Sequence, residues 1–178
     1  MSYGAVSSAA IATRDKGAEK GGFAQNRGEG GLSEYHLTNG GGMIWQIGTG
    51  YFGCRNKDGS FNDDAFAERA NLDNVKMIEI KISQGAKPSH GGVLPGVKVT
   101  QEIADIRLVE AGKAVLSPPT HPEFDTPGGL LDFVARLRKL CGGKPVGFKL
   151  CLGKKPEFLA IIKAILETNI LQIGRAHV

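Results

Sequence analysis

The sequence predicts an α/β domain of parallel strand–helix units, on three observations. Short apolar, β-rich runs alternate along the chain with amphipathic helical stretches. Those runs read as buried strands, because few polar residues interrupt them. Glycine supplies 26 of the 178 residues, clustered between the runs, where tight turns or a close backbone approach to a ligand require it.

The elements follow in order. Residues 1–4 read as the stump of a strand and 7–16 as a helix. Residues 23–26 read as a short strand, and 43–48 (MIWQIG) as a strand bounded by glycines. A helix is expected over 63–70. Residues 75–82 (VKMIEIKI) alternate and are rich in β-branched residues, the mark of a strand. Residues 83–96 are too rich in Gly and Pro for either state and form a long loop leaving that strand. A helix is expected over 101–107. Thr126 and Pro127 supply an N-cap and a first-turn proline. Leu130, Val134, Leu137 and Cys141 then share one helical face, and Gly142–Gly143 ends the helix. Residues 145–152 (PVGFKLCL) read as a strand. Phe158, Ile161, Ile162 and Ile165 form a last amphipathic stripe, opened by Pro156.

Composition narrows the function classes. No apolar run approaches the ~20 residues of a membrane helix, and residues 1–20 do not read as a secretory signal. Three cysteines without C-x-x-C spacing fit a reducing compartment, so a cytoplasmic location is expected. The four histidines lack metal spacing, and neither a P-loop nor a G-x-S-x-G elbow is present. The net charge is +4, but the charges are interspersed and aromatics are only 7%. No nucleic-acid partner is therefore expected.

Side chains alternate across a strand. Lys76, Ile78, Ile80 and Ile82 then share one face, with Glu79 and Lys81 on the other. In 145–152, Gly147, Lys149 and Cys151 share a face whose small members leave room beside Lys149. Gln46 interrupts the apolar 43–48 strand in a similar place. Polar groups in parallel strands are costly unless paired. One outcome is a self-satisfying pair, Glu79–Lys81 or Glu79–Lys149. The other is a ligand site, since the polar groups come from three strands near their C-terminal ends, where α/β folds bind ligands. Lysines beside a glutamine suit an anionic or electron-rich ligand.

The segments MSYGAVSSAA, NRGEGGLSEYH, WQIGTGYFG and KISQGAKPSHGGVLPGVKVTQEIADIR resemble the FMN-binding synthase domain of glutamate synthases. SPPTHPEF and GGKPVGFKLCLG add to the likeness, which runs from Met1 to about Leu171. The resemblance implies an FMN-linked (β/α)₈ TIM barrel with flavin at its C-terminal mouth. It implies an oxidoreductase that joins 2-oxoglutarate and ammonia into 2-iminoglutarate, which reduced FMN converts to glutamate. Carried onto these positions, the backbone of Met1, Ser2 and Tyr3 lies by the flavin, and Asn26 and Glu29 line the site. Gln46, Lys81 and Lys149 face the flavin ring, Lys149 stabilising negative charge on it. Lys149 and Glu29 are the implied catalytic residues. Gln84, Lys87 and Arg107 match positions that hold the carboxylates of 2-oxoglutarate. The electron donor is left open between ferredoxin and NADPH, and iron–sulfur ligands are not found in this segment.

Tyr51 in GTGYFG stands where the family's larger enzymes carry Arg, which keeps open a different 2-oxo acid or imine as substrate. A catalytically silent ligand-binding barrel is the other alternative. A full barrel needs ~250 residues, with phosphate loops after strands 7 and 8. The expectation is therefore an incomplete barrel of about five βα units over 1–171, with open strand edges and weak FMN binding by the chain alone. Residues 172–178 (QIGRAHV) read like an adapter translation rather than native sequence.

Overall fold

A computed structural model describes residues 2–85, 87 and 89–171. Helix α1 (Ser8–Gly21) opens on Ser7, whose side chain accepts from Ala10 N. It ends at Gly22, which adopts the left-handed φ of 64° that glycine takes without strain. It thus runs past the expected end at residue 16. Strand β1 (Ala24–Asn26), strand β2 (Gly42–Ile47), helix α2 (Asp63–Ala70) and strand β3 (Val75–Lys81) follow. A small ribbon, β4 (Val93–Leu94) and β5 (Val115–Leu116), flanks helix α3 (Gln101–Arg107). Helix α4 (Pro127–Leu140), strand β6 (Val146–Lys149) and helix α5 (Lys155–Thr168) complete the chain.

The main sheet is parallel throughout, in the order β1-β2-β3-β6. Parallel neighbours need crossovers: helices supply those from β2 to β3 and from β3 to β6, while a loop with one 3₁₀ turn (Glu34–His36) joins β1 to β2. This bears out the α/β reading at the level of a four-stranded parallel sheet with five helices, compatible with part of an α/β barrel. The strand stump expected at residues 1–4 is not formed by the described residues 2–4. Residues 2–5 close a turn instead, with Ala5 N donating to Ser2 O and only a Tyr3–Val6 bridge remaining. Met1 and residues 172–178 lie outside the described residues. β6 also stops at Lys149 rather than 152, because its partner Lys81 is the last residue of β3. A strand extends only as far as its neighbour offers hydrogen bonds.

The core lies between one sheet face and the helices. Met43, Trp45 and Ile47 are at most 1% exposed, as are Ile78 and Ile80. Trp45 stacks on Phe66 of α2 at 5.4 Å. From α4, Leu130, Val134 and Leu137 reach the same layer, as their spacing predicts, and Cys141 joins them. Burying one such side chain is worth about 1.5–3 kcal/mol. The register slips between Met43 and Ile44, and Lys76 is left exposed rather than sharing the buried face of Ile78. On α5 the buried positions are Ile161 and Ala164, while Leu159 and Leu166 face outward.

Candidate functional site

The other face of the sheet is polar. Strand register sets Gln46 beside Glu79, Glu79 beside Gly147, and Lys81 beside Lys149. Asn26 comes from β1, two strands from Glu79, yet its Nδ2 donates to Glu79 Oε1 at 2.8 Å. Gln46 Nε2, on the strand between, donates to the same oxygen. Glu79 is therefore paired by two amides, not by Lys81 or Lys149. A carboxylate in a sheet must find donors, and its neighbours in register supply them.

One step nearer the C-terminal ends of the strands lies a second cluster. Lys81 Nζ donates to Glu29 Oε1 at 2.7 Å and to Gln84 Oε1 at 2.9 Å. Gln84 Nε2 donates to Glu29 Oε1 at 2.9 Å, closing a triangle. Glu29 comes from the turn after β1, where Gly28 N donates to Asn26 Oδ1 at 2.9 Å. The Glu29 carboxylate lies over Gly48, where any Cβ would collide with it. Lys149 is exposed, and its ammonium has no hydrogen-bond or ion-pair partner among the described residues.

A cleft of about 220 Å³ adjoins this rim, lined among others by Ser2, Glu29, Phe52, Lys98, Arg107 and Ser117. Arg107, the last residue of α3, donates to Tyr3 O at 3.1 Å and lies over the Phe52 ring at 4.9 Å. The residue is 7% exposed. Its buried Nε has no partner among the described residues. Burial pushes the Arg107 guanidinium down from its ordinary value, and the charge of Glu29 opposes this.

The structure thus brings Glu29, Lys81 and Gln84 into one cluster, and Asn26 and Gln46 into another just below it. Lys149 shares their face. Arg107 and Ser2 join through the cleft, and Tyr3 through its carbonyl, which accepts from Arg107. Lys87 does not reach the cleft lining: it is exposed in the loop, its carbonyl accepting from His90 N. Tyr51 is fully buried, edge-on to Phe61 at 5.3 Å, with φ 48°. Its phenol does not line the cleft but meets His121 Nδ1 at 3.1 Å. Sequence reading missed Phe52, His121 and the Asp15–Arg27 ion pair, whose 2.5 Å contact anchors the turn carrying Glu29. Asp15 had a usable signal, since Ile11, Asp15 and Ala18 mark the buried face of α1. Among the described residues no group of three or more His, Cys, Asp or Glu could hold a metal ion. No helix among them is long and apolar enough to cross a membrane.

The family model described as "Conserved region in glutamate synthase" matches residues 1–175. The chain is 46% identical over 158 residues to the glutamate synthase large subunit-like protein YerD of Bacillus subtilis, covering 88% of the chain and 30% of that protein. It is 35% identical over 151 residues to the archaeal-type glutamate synthase (NADPH) of Thermotoga maritima, covering 84% and 27%. It is 40% identical over 103 residues to the ferredoxin-dependent glutamate synthase of Antithamnion sp., covering 58% and 7%. The chain therefore spans less than a third of the length of each of these relatives.

Proposed function

The chain belongs to the glutamate synthase family, and from that premise we propose that it carries part of an FMN site in an oxidoreductase that forms glutamate from 2-oxoglutarate and ammonia. The observation that supports this best is the convergence of Asn26, Gln46, Lys81 and Lys149 on one sheet face, capped by Glu29 and Gln84.

The residues present fit a planar, electron-accepting group. Gly147 presents no side chain to that face, and Lys149 stands beside it as a cation without a partner among the described residues. The orphaned Arg107 Nε and the adjoining cleft give an anionic substrate a place beside it. FMN, when bound, supplies the reducing equivalents. Asn26, Gln46 and the backbone of Ser2 and Tyr3 would hold it; for Met1 the proposal rests on the family alone. Lys149 and Lys81 would offset the negative charge that grows on a ring as it is reduced.

Gln84 and Arg107 would bind the two carboxylates of 2-oxoglutarate by charge-assisted hydrogen bonds; for Lys87 the proposal rests on the family alone. Ammonia adds to the 2-oxo carbon and water leaves, giving the imine. Two electrons and two protons then give the amine. Glu29, hydrogen-bonded to Lys81, is the carboxylate placed to take or return a proton at that rim. The electron donor is proposed to be of a kind that the relatives' names carry, NADPH or ferredoxin. An iron–sulfur centre would draw its ligands from outside the described residues.

The test uses the full reading frame that contains this chain. We expect bound FMN, and glutamate formed from 2-oxoglutarate and ammonium under a chemical reductant. Losing one hydrogen bond to a charged group costs about 1.5–3 kcal/mol. Lys149→Ala should therefore weaken FMN binding by roughly ten- to a hundredfold, with folding stability unchanged because Lys149 is exposed. Flavin-free protein, or flavoprotein that makes no glutamate, would refute the proposal.

A further inference from the structure

Lys81 is the last residue of β3. At that point the ladder ends: Ile82 N donates back to Lys149 O at 2.9 Å, while the Lys81 carbonyl meets His121 Nε2 at 2.8 Å. A carbonyl can only accept, so Nε2 carries the hydrogen and Nδ1 is the bare ring nitrogen. Tyr51 Oη, 3.1 Å from Nδ1, is then the donor. The relay runs Tyr51 to His121 to the Lys81 carbonyl, and it is buried: Tyr51 is 0% exposed and His121 4%. Phe124 stacks on the imidazole at 4.9 Å and 18°, which fixes the ring plane.

The segment leading to His121 is tied to the loops after β2 and β3. Thr49 Oγ1, from the loop after β2, donates to Pro118 O at 2.6 Å. Ser117 N donates to Gly92 O, in the long loop after β3, at 2.8 Å. His121 therefore bridges the exits of two neighbouring strands at the level of the rim.

We propose that His121, oriented by Tyr51, is a positioning residue for Lys81. It holds the backbone where β3 ends, and so aims the Lys81 ammonium at Glu29 and Gln84. The inference rests on the reading of that rim as the functional site and adds two residues that touch neither flavin nor substrate. Proton uptake alters the relay at one end. Nδ1 gains a hydrogen that faces the Tyr51 oxygen, so the phenol must turn its own hydrogen away. Burial opposes this protonation, and the carboxylates of Glu29 and Glu123 favour it. The ammonium of Lys81 is the cation on the neighbouring strand.

The test is a pH titration of the isotopically labelled full chain by NMR. It follows the His121 ring, the Lys81 carbonyl carbon and the Lys81 Cε. The wild type should show His121 titrating below about 6.5, with both Lys81 signals stepping at the same midpoint. His121→Gln keeps a donor for the Lys81 carbonyl but does not titrate. It should preserve the neutral-pH shifts and lose the step. Tyr51→Phe removes the donor to Nδ1 and should shift the Lys81 carbonyl at all pH values. Lys81 signals that stay flat through the His121 midpoint, or a step that persists in His121→Gln, would overturn the inference. No ligand is needed, so failure to bind FMN or make glutamate counts against the proposed function and not against this relay.

Discussion

Asp15 and Arg27 form an ion pair in which neither side chain is more than 1% exposed. Arg27 also donates to His36 O at 3.1 Å, and Asp15 Oδ2 accepts from Asn39 N at 2.9 Å. Burial pushes the Arg27 guanidinium down, and the adjacent Asp15 opposes it. Removing one partner of such a pair strands the other charge in a medium that solvates it poorly. We expect Asp15→Asn to cost about 3–5 kcal/mol, read as a lower urea midpoint with an unchanged slope. A loss below about 1 kcal/mol, the range of exposed pairs, would show that water reaches Arg27. The pair was hidden in the sequence because its members belong to different elements, α1 and the turn after β1. Lys81, Lys149 and Gln46 were legible because strand alternation is a local rule. Glu79 was legible as a polar group within the sheet, where it is half-buried, but its partners Asn26 and Gln46 follow from register, which one strand does not encode.

Helix α4 could be read from its own residues. Thr126 Oγ1 accepts from Gly129 N at 3.0 Å, Pro127 opens the first turn, and Gly142 follows the last turn at φ 65°. Caps and breakers act within four residues, so sequence alone locates them. Thr126→Ala should cost about 1 kcal/mol while Thr126→Ser restores it, measured by thermal unfolding; an alanine variant as stable as wild type would mean the cap is idle. The strands behave differently. β6 ends at Lys149 because β3 ends at Lys81, and residues 2–5 turn back because Gly4 adopts φ 92° and Ala5 N reaches Ser2 O. Strand length is a property of pairs, so the extra residues expected at 150–152 could not be ruled out from their own apolar pattern.

At the scale of the molecule, the four-stranded sheet ends at β1 and β6, and α5 covers only part of its apolar surface. Leu159 is 61% exposed, Leu166 75% and Ile162 36%. Their spacing of three and four residues places them on one stripe. Ile161 and Ala164 on the opposite side are nine-tenths buried or more. An exposed apolar stripe and an unpaired strand edge are both features that soluble proteins ordinarily avoid, because each recruits a second chain. The 178-residue chain should therefore self-associate as its concentration rises. The Leu159→Lys, Leu166→Lys double variant should shift it toward the monomer, with a fold unchanged by circular dichroism, since neither side chain packs in the core. Light scattering across a concentration series decides the matter. If the wild type stays monomeric throughout, the stripe is not sticky. If the double variant associates as strongly as the wild type, the open edge of β6 is the contact, and charges on that strand become the next variable.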